Sequence, residues 1–358
     1  MSRLYQIGTL IKHDQYIFLG TFRFCLALSV FISHTEQYKL LIGVPINWGG
    51  LGVWLFFVVS GYVIFSAHDL FYRGRVGIFL ANRALRIFPT VWVCLLISFG
   101  VLAMSDAGVL SYPVALPDYE TLDFLLSISV IGGFLTPDAW APLPPASTLT
   151  IETKFYLIAA ALFVLRRYVP LQESHFMFGA GLVFLGLYVA IELTGGQYRI
   201  YGALRYGPLF VLGAAAYYVH RSEWRSKAAL VMLALSYIFT LHFCLSMESS
   251  SGYVGLGFRE DAMKTAALLS FLLAFFLVVA RFKLNGSQKN IDRQAGDLTY
   301  PFYLVQYPLI VSYEATIGIE TPADFIILLL ATTLAAIIIN QTIERPLLAL
   351  RRRWRRAL

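Results

Sequence analysis

Long apolar stretches separated by short polar segments run along the whole 358-residue chain. Crossing a bilayer takes about 20 predominantly apolar residues, and many of these stretches approach that length. The apolar runs are continuous rather than alternating, which favours transmembrane helices over a β-barrel. We therefore predict an all-α, polytopic membrane helical bundle that forms a single domain over residues 1–358. Ten spans are predicted, at about 17–35, 50–68, 87–104, 149–165, 176–194, 205–219, 228–246, 262–280, 298–315 and 323–342.

Composition supports a protein embedded in the lipid bilayer. The chain is 58% hydrophobic and 14% charged, with a mean hydropathy of +0.68, and a soluble domain needs more polar surface than that. Its net charge of +7 does not predict nucleic-acid binding, because the basic residues cluster beside span ends. The three cysteines lie in separate apolar stretches and form neither a disulfide framework nor a metal motif.

The distribution of basic residues predicts the orientation in the membrane. If the N-terminus is cytoplasmic, most lysines and arginines near span ends, including the terminal RRRWRR, fall on the inner side. Both termini are therefore predicted to be cytoplasmic. The segment FLLSISVIGGFL at 124–135 is too short for a span, and counting it as a crossing would destroy this bias. We expect it to be re-entrant or interfacial.

The stretch RFCLALSVFISH places Arg23 and His34 at opposite ends of the first predicted span. Eleven residues of helix separate them by about 16 Å and leave them on nearly the same side. Intramembrane charges are costly and point to function by default. The alternative is that Arg23 snorkels inward while His34 marks the interface.

Two further stretches carry charges at predicted spans. In RALRIFP, Arg83 and Arg86 are neighbours on one helix face, and such a guanidinium pair suits phosphate binding; ordinary positive-inside charge is the alternative. In TLTIETKFYLI, Glu152 lies near the start of the fourth span, followed by Tyr156. A glutamate there needs a partner or a water-filled cavity, or it forms a structural ion pair with Lys154 or an arginine.

Two other spans contain polar or small residues. Ser60 and the glycines at 49, 50, 52 and 61 are expected to allow close helix approach in the second span. In LTYPFYLVQYPLI, Pro301 and Pro308 are expected to break the ninth span, and Tyr303 and Gln306 place polar groups inside it. Ser60, Tyr156, Tyr303 and Gln306 are therefore candidates for lining a substrate path.

Taken together, these stretches resemble acyltransferase family 3, whose members include membrane O-acetyltransferases of bacterial surface polysaccharides. The resemblance covers nearly the whole chain and follows six motifs in order, among them the arginine–ten residues–histidine motif, GVWLFFVVSGYVI, RALRIFP and a terminal IERP. The chain departs from the family pattern at Ser147, which replaces a tryptophan, and at Thr153, which replaces a second glutamate. Gln306 replaces a histidine.

The resemblance implies an acyltransferase that transfers groups other than aminoacyl groups. Acetyl-CoA or another acyl-CoA would be the cytoplasmic donor and a hydroxyl of a cell-surface or lipid-linked carbohydrate the acceptor, with no metal. Arg23, Arg83 and Arg86 would bind the donor, and His34 and Glu152 would be catalytic. The expected location is the bacterial cytoplasmic (inner) membrane, with oligomers or polysaccharide-assembly partners possible. The alternatives are a transporter or flippase of a lipid-linked sugar, and a non-catalytic subunit of a polysaccharide assembly machine.

Overall fold

The computed structural model describes residues 18–35, 46–106, 142–194, 204–249, 262–282 and 284–356. Every regular element in this part of the chain is helical, which confirms the predicted all-α class. The α-helices are α1 (Leu19–His34), α2 (Trp48–Ala67), α3 (Val76–Asp106), α4 (Ala146–Leu165), α5 (Glu173–Thr194), α6 (Gly207–Arg221), α7 (Lys227–Ser249), α8 (Ala262–Val279), α9 (Gly286–Thr316), α10 (Pro322–Ile339) and α11 (Arg345–Arg356). Short π-helical segments follow α2 and α10, at His68–Tyr72 and Asn340–Glu344.

Helices α1 to α10 fall, in order, on the ten stretches predicted to span the membrane. By length and apolar composition, six helical stretches of the described residues can cross a bilayer: Trp48–Tyr72, Val76–Met104, Ala146–Leu165, Glu173–Thr194, Lys227–Ser246 and Pro322–Leu350. Helix α1 and the stretch Met263–Val279 are apolar but shorter. The count of ten crossings and the cytoplasmic termini stay predictions, and segment 124–135 lies outside the described residues.

Helices α3 and α9 begin well before the predicted spans. Helix α3 starts at Val76 rather than near 87, and α9 starts at Gly286 rather than near 298. The charged residues that immediately precede these two predicted spans are therefore helical as well. Arg83 and Asp292 illustrate this, since both side chains are buried against neighbouring helices. The arginines of RALRIFP therefore lie two to three turns inside α3.

Glycines bring α2 close to α1 and to α6, as predicted for this segment. A Cβ at Gly52 would meet the Leu26 carbonyl oxygen of α1 at 2.8 Å. A Cβ at Gly61 would overlap the backbone of Phe210, and one at Gly213 of α6 would overlap the carbonyl oxygen of Val58. These contacts let the helix backbones touch, and they fix how α2 faces both neighbours.

The start of α1 is held by a residue of α9. The carboxylate of Asp292 accepts hydrogen bonds from the backbone N–H groups of Gly20, at 3.2 Å, and Thr21, at 2.7 Å. Free N–H groups in the first turn of a helix need such partners. Gly20 and Gly296 face each other at the same place, where a Cβ on Gly296 would be 3.0 Å from the Cα of Gly20. Helix α1 is thereby anchored one turn before Arg23.

The expectation that proline breaks the ninth span is wrong, because α9 runs through both Pro301 and Pro308. A proline inside a helix leaves the carbonyl four residues earlier without its N–H partner. For Pro301 this carbonyl belongs to Asp297, and the side-chain amide of Asn340 donates to it at 2.9 Å. A neighbouring helix end thus supplies the missing hydrogen bond, and the helix continues.

Candidate active site

A partly open cavity lies between α1, α2, α3, α4 and α9. Seven of the nine predicted site residues line it: Arg23, Ser60, Arg83, Arg86, Glu152, Tyr156 and Tyr303. The rest of the wall is mostly apolar, formed by residues such as Val53, Phe56, Phe57, Val63 and Leu149. The fold therefore collects charged and hydroxyl side chains from distant parts of the sequence into one apolar-walled chamber.

Glu152 is the only carboxylate among the described residues that line the cavity. The Ser60 hydroxyl of α2 and the Tyr156 hydroxyl of α4 both donate hydrogen bonds to its Oε1. Residues 148, 152 and 156 are spaced by four and share one face of α4, so the helix itself presents this polar stripe. Glu152 is thus held by two hydroxyl groups.

Three guanidinium groups share the cavity with that carboxylate. Arg83 is only 8% exposed, and its guanidinium carbon lies 5.2 Å from the ring centroid of Tyr156 and 5.4 Å from that of Phe79. Arg23 is within electrostatic reach of Glu152, Arg83 and Arg86. Among the lining residues, three cations face one carboxylate. Buried charge without a counter-ion is costly, so the chamber favours an anion.

Three polar lining residues, Thr148, Thr299 and Tyr300, were not predicted from the sequence. The hydroxyls of Thr148 and Tyr303 are hydrogen-bonded to each other at 3.1 Å. The hydroxyl of Tyr300 donates to the carbonyl of Ile87 at 2.9 Å. The hydroxyl of Thr299 donates to the carbonyl of Ala295. The spacings 148–152–156, 299–303 and 300–303 are helical repeats that place all three on the faces of known candidates. That periodicity is the signal by which they could have been found.

His34 and Gln306 do not line the cavity. The ring of His34 packs edge-on against Tyr307, with centroids 6.0 Å apart, and its buried Nδ1 has no hydrogen-bond partner among the described residues. Gln306 is fully buried; its Nε2 donates to the carbonyl of Tyr303 at 3.0 Å. Arg23 thus faces the chamber, while His34 lies about 16 Å further along α1.

A second polar cluster, not predicted, joins the π-helical segment after α2 to α5 and α6. Arg221 pairs with Asp69 at 2.7 Å and with Glu173 at 3.0 Å. Arg73 pairs with Glu173 at 3.2 Å, and the hydroxyl of Tyr217 donates to Asp69. In this cluster the acids and bases neutralise each other, so it ties three elements together and leaves no excess charge.

The comparisons with known proteins identify the family. The acyltransferase domain of acyltransferase family 3 matches residues 16–341, and the chain belongs to this family of acyltransferases. O-acetyltransferase OatA of Staphylococcus aureus is 26% identical over 326 residues, which cover 84% of this chain and 52% of that protein. Exopolysaccharide production protein ExoZ of Rhizobium meliloti is 27% identical over 315 residues, covering 84% of this chain and 90% of that protein.

The chain thus spans about half the length of the OatA relatives that it matches. No solved structure matches the chain.

Proposed function

We propose that the protein is a membrane O-acyltransferase that moves an acyl group from a cytoplasmic acyl-CoA to a hydroxyl of a cell-surface or lipid-linked carbohydrate. Membership of the family supports the acyl transfer. The printed names of the relatives, an O-acetyltransferase and an exopolysaccharide production protein, favour acetyl as the group and a polysaccharide as the acceptor. The bacterial inner membrane is the compartment in which such a donor and acceptor are separated by one bilayer.

The surplus of positive charge in the central cavity carries the proposal. Arg23, Arg83 and Arg86 offer guanidinium groups to one cavity, and among its described lining residues Glu152 supplies the single negative charge. Guanidinium groups bind phosphate oxygens with paired, charge-assisted hydrogen bonds. Coenzyme A carries several phosphates at one end and its thioester at the other. The arginines would therefore hold the phosphate end, within an apolar chamber that strengthens the attraction.

The same arrangement suggests how the acyl group reaches the acceptor. The pantetheine arm is about as long as the ~16 Å that separate Arg23 from His34 along α1, so it could carry the thioester to the His34 end. There the acceptor oxygen would attack the thioester carbonyl carbon while His34 takes the hydroxyl proton. The carbon–sulfur bond then breaks, and the coenzyme A thiolate leaves and receives a proton. Glu152, held by Ser60 and Tyr156, would keep the arginines in position along this path.

The sequence is also compatible with two other functions. A transporter or flippase of a lipid-linked sugar needs no site for a phosphate-bearing donor, and a non-catalytic subunit of an assembly machine needs no chemistry. The cationic cavity and the match to an acyltransferase family favour the enzyme over both. Oligomers and polysaccharide-assembly partners are compatible with all three.

Mass spectrometry of surface glycans from cells with and without the protein tests the proposal. Cells with the protein should carry glycans heavier by one acyl group per modified sugar. Cells that produce the His34→Gln variant should lack this mass, although the variant inserts in the membrane in normal amounts. Identical glycans with and without the wild-type protein would exclude acyl transfer and leave the carrier function standing.

A further inference from the structure

Gln306 carries an unpaired polar atom in the interior of the bundle. Its side chain has 0% exposure, and its Nε2 donates to the carbonyl of Tyr303. Its Oε1 accepts no hydrogen bond from any described residue. Buried side-chain acceptors are nearly always paired, so an unpaired one needs an explanation. A ligand that donates a hydrogen bond is one explanation.

The position of Gln306 places this acceptor between the cavity and His34. Thr299 and Tyr303 of α9 line the cavity, and Gln306 follows Tyr303 by three residues, on the same side of the helix. The next residue, Tyr307, contacts the ring of His34. Helix α9 therefore leads from the chamber through Gln306 to the level of His34.

The polar groups along this path differ in whether they are already paired. In the cavity, the hydroxyls of Ser60 and Tyr156 donate to Glu152, and those of Tyr303 and Thr148 pair with each other. At the far end, Gln306 Oε1 and His34 Nδ1 are both buried and unpaired in the part of the chain that the structure describes. The unpaired atoms thus coincide with the end of the path at which the thioester is proposed to react.

We propose that Gln306 Oε1 accepts a hydrogen bond from the donor's pantetheine amide nearest the sulfur. This inference rests on the proposed function. The amide nitrogen is separated from the thioester sulfur by two carbons, so an amide held at Gln306 keeps the reacting carbonyl near His34. A pantetheine amide inside an apolar bundle needs such a partner, because water is excluded there. Gln306 therefore binds the acyl-CoA and takes no proton from the hydroxyl of the carbohydrate.

The test compares the affinity of purified protein for acetyl-CoA in the wild type and in Gln306→Met. Methionine keeps the length of the side chain and removes the acceptor, so affinity should fall about three- to tenfold, the range of one neutral hydrogen bond. Stability should be unchanged or higher, because an unpaired buried oxygen is lost. Thr332→Val is the matched control. This substitution also removes a fully buried hydroxyl that has no hydrogen-bond partner among the described residues. Thr332 lies on α10, outside the cavity lining, so the substitution should leave the affinity for acetyl-CoA unchanged.

A donor analogue makes the test independent of how well the variant folds. In this analogue an oxygen replaces the amide N–H nearest the sulfur, giving an ester. The wild type should bind it three- to tenfold more weakly than acetyl-CoA, and Gln306→Met should bind both equally. Equal binding of both donors by the wild type, or an equal loss for both in Gln306→Met, would overturn the role of Gln306. Failure of the wild type to bind acetyl-CoA at all would instead overturn the proposed function.

Discussion

The hydroxyl of Ser60 on α2 donates a hydrogen bond to the carboxylate of Glu152 on α4, 92 residues further along the chain. This contact and the one from Tyr156 hold the carboxylate among three arginines. A hydrogen bond to a charged group contributes about 1.5–3 kcal/mol, which corresponds to a factor of about 10 to 100.

Ser60→Ala should therefore lower the acyl-transfer rate at subsaturating donor by about tenfold, because Tyr156 still holds Glu152. Glu152→Gln should lower the rate further, since the arginines then lose their only counter-charge among the described lining residues. Transfer rates in membranes that contain equal amounts of each variant provide the measurement. Ser66→Ala, on the same helix but outside the cavity lining, is the control. A rate for Ser60→Ala equal to that of this control would show that the contact is only structural.

The carboxylate of Asp292 caps the first turn of α1, and its removal should destabilise the protein. Loss of a capping side chain costs about 0.5–2 kcal/mol, so Asp292→Ala should unfold at a lower temperature or denaturant concentration. Donor affinity should fall as well, because Arg23 lies one turn beyond the cap. The control is Asp297→Ala, which removes an ion pair with Arg293 at 3.8 Å that is partly exposed and contributes little. Equal stability of the two variants would contradict the capping role.

The space around two glycines predicts opposite effects when each is changed to alanine. A Cβ at Gly213 would overlap the Val58 carbonyl oxygen, so Gly213→Ala should destabilise the bundle by about 1–3 kcal/mol through overpacking. Gly186 of α5 has open space where its Cβ would lie, and Gly186→Ala should stabilise by about 0.5–1 kcal/mol because alanine favours the helix. Thermal unfolding in detergent would measure both. A stabilising effect at Gly213 would show that α2 and α6 do not approach as described.

The helical class, the order of the helices and most of the polar residues that line the cavity could be predicted from the sequence. Long apolar runs predict helices in a bilayer because the backbone must satisfy its own hydrogen bonds there. Arg23, Arg83 and Glu152 stood out because charges are rare inside such runs. Those residues do meet in one cavity.

Contacts between distant residues could not be predicted in the same way. Asp292 lies before the predicted ninth span, and nothing in its own neighbourhood shows that it caps α1. Pro301 looked like a helix break, because nothing in its own neighbourhood shows that Asn340 supplies the missing donor. Each of these outcomes depends on a partner more than 35 residues away, and local patterns carry no information about it. The cluster of Asp69, Glu173 and Arg221 was missed for the same reason.

The affinity of purified protein for an acyl-CoA is the most direct test of the proposed donor site. Arg83→Ala or Arg86→Ala should weaken binding by about 10- to 100-fold, because each removes a charge-assisted phosphate contact. Arg83→Lys and Arg86→Lys should recover only part of this loss, since lysine keeps the charge but lacks the planar fork. Arg73→Lys is the control, because Arg73 is 63% exposed and pairs with Glu173 outside the cavity. Affinity should fall in both cavity lysine variants and stay unchanged in the control. Wild-type affinity in both cavity variants would contradict the donor site, and these arginines would then serve only orientation in the membrane.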